Sequence, residues 1–280
     1  MKTGLVLGFF DGVHLAHQEV IKSAINYAEK VCVITFKSSP AEFFGKDCKY
    51  IYPREKSVEK IKSLGVDEVI ELDFAQIAAM PAEEYLQTLV KKYSPVSIST
   101  GFNHTFGKNR SGNAEFLETN SQKYGYKYFC VPAQMHNNKV ISSTYIKELL
   151  QKGQVEQANE LLGSNFSISG MVIKGAQLGR TIGFPTANIK YPPNIVQLPY
   201  GVYAARVGGH AGVLNWGMKP TVHNIKEPIV EVHILDYEGD LYGKNIEIDI
   251  LKKLRNEQKF ANLEELKLQI KKDTEECLKL

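Results

Sequence analysis

Two histidines near the start of the sequence stand in a setting suited to phosphate binding. Residues 8–17, GFFDGVHLAH, follow an apolar run that predicts a strand and precede a run with helical periodicity. Glycine in such a turn permits positive φ, and free N–H groups at a helix start attract anions. His14 and His17 share a face of the first turn. There they could donate hydrogen bonds to a triphosphate and stabilise the negative charge that develops on its α-phosphate. A packed glycine turn with surface histidines and a metal-binding pair are the alternatives, which the strand–turn–helix setting disfavours.

A second glycine-rich segment, residues 170–189, has the composition of a loop that folds over a nucleotide. Four glycines fall within fourteen residues, which lets backbone N–H groups approach phosphates. The Walker ending and the G-x-G-x-x-G spacing are both missing from it. Thr186 and Asn188 are two apart in an extended stretch, so a hydroxyl and an amide oxygen face one side and suit Mg²⁺. A glycine-rich hairpin with two ordinary polar residues is the alternative.

The elements that position these residues differ between the two halves of the chain. In the first half, short apolar runs alternate with helical periodicity, which predicts an α/β domain with a parallel sheet. Ligands of such sheets bind beyond the C-terminal ends of the strands. The predicted strands are residues 5–9, 31–36, 68–72 and 96–100, and the predicted helices are residues 18–29, 58–64 and 82–92.

The apolar period changes to two after about residue 163. Short runs separated by glycine and proline predict a small antiparallel barrel or sandwich, followed by an amphipathic helix over residues 263–280. The predicted strands are residues 166–172, 202–207, 229–235 and 246–250. We therefore expect an α/β domain over residues 1–145, a helical linker over 146–163 that is split at Gly153, and an all-β domain over 164–280.

Composition and charge exclude several classes of function. The chain has 280 residues, 43% hydrophobic and 23% charged, as in ordinary globular proteins. A net charge of +3 without a clustered basic face gives no support for nucleic-acid binding. The four cysteines are far apart, which disfavours disulfides and zinc sites and favours a reducing compartment. Because neither a signal peptide nor an 18-residue apolar stretch is recognisable, we expect a soluble cytoplasmic protein without a membrane partner.

The histidine-bearing segment and two later ones together resemble the nucleotidylyltransferase superfamily, in the form found in bacterial bifunctional riboflavin kinase/FMN adenylyltransferases. Residues 101–112, GFNHTFGKNRSG, resemble its second nucleotide-binding loop, and residues 141–147, ISSTYIK, resemble its I-S-S-T-x-I-R segment. The resemblance implies a Rossmann-like domain that adenylylates FMN to FAD, with His14 and His17 catalytic. The ATP- and phosphate-binding residues that it implies are Gly8, Phe10, Asp11, Gly12, His14, His17, Gly107, Arg110, Ser142, Ser143 and Thr144.

Several positions of this half depart from the family pattern. The family usually has Gly at Ala16, Asp-Phe at Asn103 and His104, and an Arg-rich ending at Tyr145 and Lys147; residues 35–40 also lack the Pro-His that it often has there. Ala16 adds a methyl group where backbone approaches phosphate, and Lys147 lacks the bidentate fork of arginine. These departures support an alternative in which the first half is inactive or uses another nucleotide substrate.

Residues 170–189 closely resemble the riboflavin kinase domain, whose hallmark is G-R-x-x-G-F-P-T-A-N, and later segments, including Pro220-Thr221, agree in order. The resemblance implies Mg²⁺ with ATP as co-substrate, and it places Glu231 as the carboxylate that accepts a proton from the 5′-hydroxyl of riboflavin. Without it, Glu231 would be a solvated strand residue and Arg255 a surface charge. The implied ATP-binding residues are Gly170, Lys174, Gly175, Gly179, Arg180, Gly183, Pro185, Thr186 and Asn188, with Thr186 and Asn188 as metal ligands; the implied flavin-binding residues are Arg255, Glu257 and Phe260.

The sequence therefore predicts a bifunctional enzyme that phosphorylates riboflavin to FMN and adenylylates FMN to FAD. Its expected partners are riboflavin, FMN, FAD and ATP. One alternative is a riboflavin kinase with a degenerate or repurposed first half. Another is a non-catalytic flavin-binding regulator, which the combination of Thr186, Asn188 and Glu231 disfavours, because a binding protein has no need for metal ligands and a base together. The oligomeric state is not predicted.

Overall fold

A computed structural model describes residues 2–175, 178–218 and 228–280 of the chain. Pro220 and Thr221 lie outside the described residues, as do residues 176–177 of the glycine-rich segment. The chain divides into two compact units, residues 1–145 and 146–280. Among the helices that the structure describes, none combines the length and apolarity needed to cross a bilayer.

The first unit contains the predicted parallel sheet. Its five parallel strands are ordered β3-β2-β1-β4-β5. Strands β2 and β3 are added on one side of β1 and strands β4 and β5 on the other, so the strand order switches between β1 and β4. In open α/β sheets, ligands bind at such a switch point, beyond the C-terminal strand ends. The strands are β1 (Thr3–Leu7), β2 (Lys30–Phe36), β3 (Glu68–Leu72), β4 (Ser97–Gly101) and β5 (Lys127–Val131).

Helices cover both faces of this sheet, and apolar side chains from β1 and β2 supply the centre of a core on each side. The helices are α1 (Leu15–Ile25), α2 (Pro40–Phe43), α3 (Arg54–Ser63), α4 (Phe74–Ile77), α5 (Ala82–Tyr93) and α6 (Ala114–Tyr124), with a 3₁₀ turn at Lys108–Arg110. A small hairpin, β6 (Met135–His136) and β7 (Lys139–Val140), precedes α7 (Ser143–Gln151).

Two boundaries near the first glycine-rich turn differ from the prediction. Strand β1 ends at Leu7 rather than at Phe9, because the following turn leaves the extended region and Phe10 has φ 59°. Helix α1 begins at Leu15 rather than at residue 18, because His14 caps it. Strand β5 and helix α6 were not predicted. Lys127–Val131 lies at the edge of the sheet and contains only partly buried and exposed residues, although residues 128–131 form a contiguous apolar run.

The second unit is the predicted antiparallel barrel. Six strands close in the order β10-β11-β12-β9-β8-β13, and Trp216, Tyr203 and Phe166 are among its fully buried side chains. Closure leaves no free sheet edge among these strands. The strands are β8 (Phe166–Ile173), β9 (Ala187–Ile189), β10 (Gly201–Val207), β11 (His210–Met218), β12 (Pro228–Ile234) and β13 (Asn245–Arg255), with helices α9 (Leu178–Thr181) and α10 (Leu263–Cys277).

The segment expected as a linker forms two helices that are split at Gly153, whose φ is +74°. The second of them, α8 (Val155–Leu162), packs against β8 and β13. The Nδ2 atom of Asn159 donates to the carbonyl oxygen of Ile250, and its Oδ1 accepts the N–H of Phe166 at 2.7 Å. Residues 146–163 thus lie within the second compact unit.

Candidate active sites

The turn between β1 and α1 has an unusual backbone. Phe10, Gly12 and Val13 all have positive φ, of 59°, 83° and 47°. A β-branched residue in this region is rare, and such conformations persist where the surroundings over-determine them. A Cβ on Gly12 would lie 2.6 Å from Cδ1 of Ile51, so the close approach also requires glycine. The sequence thus specifies one conformation that presents the start of α1.

His14 and His17 form a stacked pair at that helix start. His14 is the N-cap of α1, and its Nδ1 accepts the N–H of His17 at 3.3 Å. This bond makes Nδ1 the unprotonated nitrogen and leaves the proton of the neutral ring on Nε2. The ring centroids lie 3.5 Å apart with an interplanar angle of 18°. Burial lowers the pKa of His14 to about 4, and burial together with His14 lowers the pKa of His17 well below its ordinary value. Both imidazoles are therefore neutral at pH 7.

A cavity of about 260 Å³ opens beside these histidines, at the switch point of the sheet. The segment around residue 142 closes its other side. Ser142 caps α7 by accepting the N–H of Tyr145 at 3.2 Å, and Ser143 donates its hydroxyl to the carbonyl oxygen of Asp11 at 2.8 Å. The predicted residues that line this cavity are His14, His17, Ser142, Ser143 and Thr144, and the family departures Ala16 and Asn103 line it as well.

Other residues predicted for this site lie around the turn rather than in the cavity lining. The buried ring of Phe10 covers Gly8, where a Cβ would lie 2.7 Å from it. The Oδ1 atom of Asp11 accepts the N–H of Ile51 at 2.9 Å. Asp11 therefore anchors the turn to the start of the segment that precedes α3.

The predicted second nucleotide-binding loop, residues 101–112, contributes unevenly to the cavity lining. Gly107 packs on the start of α5, where a Cβ would lie 2.7 Å from Cα of Ala82. Arg110 is exposed in the 3₁₀ turn. His104, a family departure, stacks on Phe106, and its burial lowers its pKa to about 4. The structure thus places Asn103 in the cavity lining, Gly107 against α5 and Arg110 at the surface.

In the barrel, Glu231 occupies the centre of a polar group on three strands. It lies directly opposite Asn188 of β9 and directly opposite Asn215 of β11. Directly paired residues of antiparallel strands project from the same face, with Cβ atoms about 4.5–5.5 Å apart. The carboxylate is thereby flanked by two amides. Asn215 had no assigned role in the sequence, although the alternation of β11 would place it on the face of Val213.

The glycine-rich segment approaches the two predicted metal ligands closely. A Cβ on Gly175 would lie 2.4 Å from Nδ2 of Asn188, and one on Gly179 would lie 2.3 Å from the carbonyl oxygen of Phe184 and 3.5 Å from the methyl of Thr186. A side chain at either position would displace these groups. Gly170 serves packing of β8 on β9, and Gly183 has φ +93° in a turn with open space around it. Lys174 is exposed.

Thr186 lines two cavities of the barrel unit. The smaller, of about 510 Å³, is also lined by Arg180, Pro185, Asp240 and Tyr242. The larger, of about 820 Å³, combines apolar side chains with polar ones that converge on its interior, as ligand pockets do. The predicted residues in its lining are Gly179, Thr186, Glu231, Arg255, Glu257 and Phe260. The structure thus brings the predicted base and flavin-binding residues into one cavity, and Arg180 and Pro185 into the adjoining one.

Arg255 is held by a buried partner that the sequence did not reveal. Its Nε and Nη2 donate to the carboxylate of Asp273 on α10 at 3.0 and 2.9 Å, and Asp273 is 3% exposed. Gln269 also donates to this carboxylate at 2.9 Å. The spacing of Gln269, Asp273 and Cys277 places them on one helical face, but it does not identify Arg255 as the partner of Asp273. The ion pair joins the end of β13 to α10 at the wall of the larger cavity.

Two further residues, one in the lining of the larger cavity and one behind Glu257, had no role predicted from the sequence. His233 has Nδ1 at 2.7 Å from the carbonyl oxygen of Pro185 and its ring edge-on to Phe184. A Cβ on Gly217 would lie 2.5 Å from Oε1 of Glu257, so this glycine admits the Glu257 carboxylate to the cavity wall. Both contacts depend on residues that are distant in the sequence.

Comparison with known proteins assigns each unit. The sequence model described as FAD synthetase matches residues 1–145, and the one described as riboflavin kinase matches residues 162–280. Bifunctional riboflavin kinase/FMN adenylyltransferases from Bacillus subtilis and Escherichia coli are each 36% identical, over 99% and 96% of this chain and 92% and 90% of those proteins. A crystal structure named macrolide-efflux protein from Streptococcus pneumoniae has a TM-score of 0.89 and 31% identity, over 98% of this chain and 93% of that one. This chain therefore belongs to the family of bifunctional riboflavin kinase/FMN adenylyltransferases.

Proposed function

We propose that this chain phosphorylates riboflavin to FMN in its second unit and adenylylates FMN to FAD in its first, with Mg²⁺-bound ATP as co-substrate of both steps. The observation that carries the proposal is the position of Thr186, which lines both barrel cavities while Glu231 lines the larger one. A phosphoryl group passes between two bound substrates, so its transfer needs adjoining pockets that meet at a polar point.

In the proposed kinase reaction, the larger cavity binds riboflavin and the smaller binds ATP. The apolar walls of the larger cavity, which include Phe260 and Leu263, suit the isoalloxazine ring. Glu231 accepts the proton of the ribityl 5′-hydroxyl as that oxygen attacks the γ-phosphorus of ATP. The bond from the γ-phosphorus to the β,γ-bridging oxygen breaks, and ADP leaves. General-base help of this kind contributes about 10²–10⁴-fold to the rate.

The donor set near Glu231 fits a magnesium ion. Thr186 and Asn188 offer a hydroxyl and an amide oxygen, which are hard ligands, and Mg²⁺ commonly completes its shell with water and substrate phosphates. When bound there, the ion would neutralise charge on the phosphates of ATP. The amide groups of the glycine-rich segment, held against Thr186 and Asn188 by Gly175 and Gly179, would bind the same phosphates.

In the proposed adenylyltransferase reaction, the cavity beside His14 binds ATP. The phosphate oxygen of FMN attacks the α-phosphorus, and pyrophosphate leaves. The start of α1 offers free N–H groups, and the Nε2–H of neutral His14 offers a further donor to charge on the α-phosphate. His17 adds a second neutral imidazole stacked against the first. We also propose a cytoplasmic location, which the four free thiols support.

One assay separates the proposal from its alternatives. The purified chain is incubated with riboflavin, ATP and Mg²⁺, and flavin products are separated over time. Formation of FMN followed by FAD supports both activities. A stop at FMN, with added FMN also left unconverted, supports the kinase-only alternative, which the presence of Ala16 and Asn103 in the cavity lining favours. Riboflavin that stays unphosphorylated overturns the proposal and favours a flavin-binding protein without catalysis.

A further inference from the structure

Arg54, the first residue of α3, contacts the turn that carries His14. Its Nη1 donates to the carbonyl oxygen of Phe9 at 3.2 Å, and its Nη2 donates to Oγ1 of Thr35 at 3.0 Å. The Thr35 hydroxyl donates in turn to the same Phe9 oxygen at 3.1 Å. The Phe9 carbonyl therefore accepts two hydrogen bonds, and its partial negative charge is directed at Arg54 and Thr35, neither of which lines the cavity.

Glu71 fixes the guanidinium in this position. Nε of Arg54 donates to Oε1 of Glu71 at 2.6 Å, with the two side chains 17% and 32% exposed. Glu71 lies directly opposite Thr35 across β3 and β2, so both partners stand at the C-terminal ends of their strands. The guanidinium also lies 5.8 Å from the centroid of the Phe9 ring. All three nitrogens of Arg54 thus donate within the unit, and a planar fork of this kind fixes its acceptors relative to one another.

The turn requires such support because of its backbone. Phe10 and Val13 have φ values that non-glycine residues avoid, and these values persist only under constraint. Two constraints act at Asp11, whose carboxylate accepts the N–H of Ile51 and whose carbonyl oxygen accepts the hydroxyl of Ser143. The Arg54 contact acts upstream, at the peptide that enters the turn.

We propose that Arg54 is a positioning residue for the nucleotide site of the first unit. By holding the Phe9 carbonyl, it keeps residues 10–14 in the conformation that presents the start of α1 and His14 to ATP. The inference rests on the proposed adenylyltransferase activity. Without Arg54, the turn populates other conformations, and the apparent affinity for ATP falls in proportion to the competent fraction. Turnover at saturating ATP changes little, because bound ATP restores the competent conformation.

Steady-state kinetics of FAD formation from FMN at varied ATP test this role, and the kinase activity of the same chain serves as an internal reference. We expect Arg54→Met to raise the KM for ATP in FAD formation about tenfold and to change kcat less than about threefold. The kinase KM for ATP stays at the wild-type value. Arg54→Lys keeps the positive charge but lacks the planar guanidinium that donates to several acceptors at once, so we expect an intermediate rise in KM.

Lys30→Met is the matched control. Lys30 pairs with Glu68 at 3.0 Å across the same two strands, β2 and β3, at the opposite end of the sheet. Its loss is expected to leave the KM for ATP unchanged. An unchanged KM in Arg54→Met overturns the inference. A fall in kcat at constant KM also overturns it, because a partly unfolded first unit gives that pattern. A wild-type chain that makes no FAD instead overturns the proposed activity itself.

Discussion

Glu231 on β12 and Asn188 on β9 lie directly opposite each other in the antiparallel ladder that closes one side of the barrel. Their register is fixed by the strand pairs on both sides, because β12 also pairs with β11 and β9 also pairs with β8. The proposed base and the proposed metal ligand therefore keep a constant separation. This constancy is what positioning of a nucleotide against an alcohol requires.

Glu231→Gln is expected to lower the kcat of riboflavin phosphorylation by about 10²–10⁴-fold, since glutamine cannot accept the 5′-hydroxyl proton. Riboflavin binding, measured by fluorescence quenching, should stay at the wild-type level because the side chain keeps its shape. FMN adenylylation by the same chain should also be unchanged. Glu247→Gln, on an exposed position of β13, is the control with the same chemical change. If Glu231→Gln forms FMN at the wild-type rate, Glu231 is not the catalytic base.

The stability of the first unit is expected to depend on His14 in mildly acidic solution. Burial lowers its pKa to about 4 from 6.5, so between these values the unfolded chain binds a proton that the folded chain does not. The contribution of His14 to the free energy of unfolding is therefore fully present above pH 6.5 and is lost as the pH decreases toward 4. His14→Asn keeps a side-chain acceptor at the N-cap and removes this titration.

Urea unfolding at pH 7 and pH 5 measures the effect. Wild type should lose about 2 kcal/mol more unfolding free energy over this interval than His14→Asn does. Burial also lowers the pKa of His104 to about 4 and that of His17 well below its ordinary value, but both residues are present in both proteins, so their burial effects cancel in the comparison. Equal losses in the two proteins would show that His14 is not held neutral by the fold.

The Arg255–Asp273 pair is expected to act as a unit. Asp273→Leu leaves a largely buried guanidinium without its carboxylate, and breaking a buried pair in this way costs about 3–5 kcal/mol. Arg255→Met leaves the buried carboxylate with Gln269 as a remaining donor. The double variant should be more stable than the sum of the two single changes predicts, because it leaves no isolated charge. Thermal unfolding of the four proteins checks this, and additive losses would contradict it.

We predict that the second unit folds independently when it is cut before α8 and less stably when it is cut after it. A fragment of residues 146–280 keeps the bonds from Asn159 to Ile250 and Phe166, together with the buried face of α8. A fragment of residues 164–280 lacks them and exposes the barrel surface that α8 covers. Melting temperature and riboflavin kinase activity of the two fragments provide the comparison. Equal stability would support the predicted boundary, with residues 146–163 as a linker.

Much of this architecture was accessible from sequence because its signals are local. The alternation of apolar runs with helical periods predicted the parallel sheet, and the change to a period of two predicted the barrel. The strand at residues 68–72 has the predicted bounds, because its apolar residues Val69, Ile70 and Leu72 lie between the polar residues Glu68 and Asp73. The strand β5 was missed although residues 128–131 form a contiguous apolar run, which is a local signal of the same kind.

The candidate site residues also divide into those that local spacing indicates and those that only tertiary contacts bring together. Residue types and spacing within single segments led to the prediction of His14 with His17 and of Thr186 with Asn188, because each pair lies within one short stretch of chain. Tertiary structure alone decided the partners that are distant in the sequence: Asp273 for Arg255, Asn215 and Asn188 for Glu231, and Glu71 with Phe9 for Arg54. Such pairings depend on strand register and helix docking. The sequence determines strand register and helix docking only through the packing of the whole unit, so these pairings can be identified only in the folded structure.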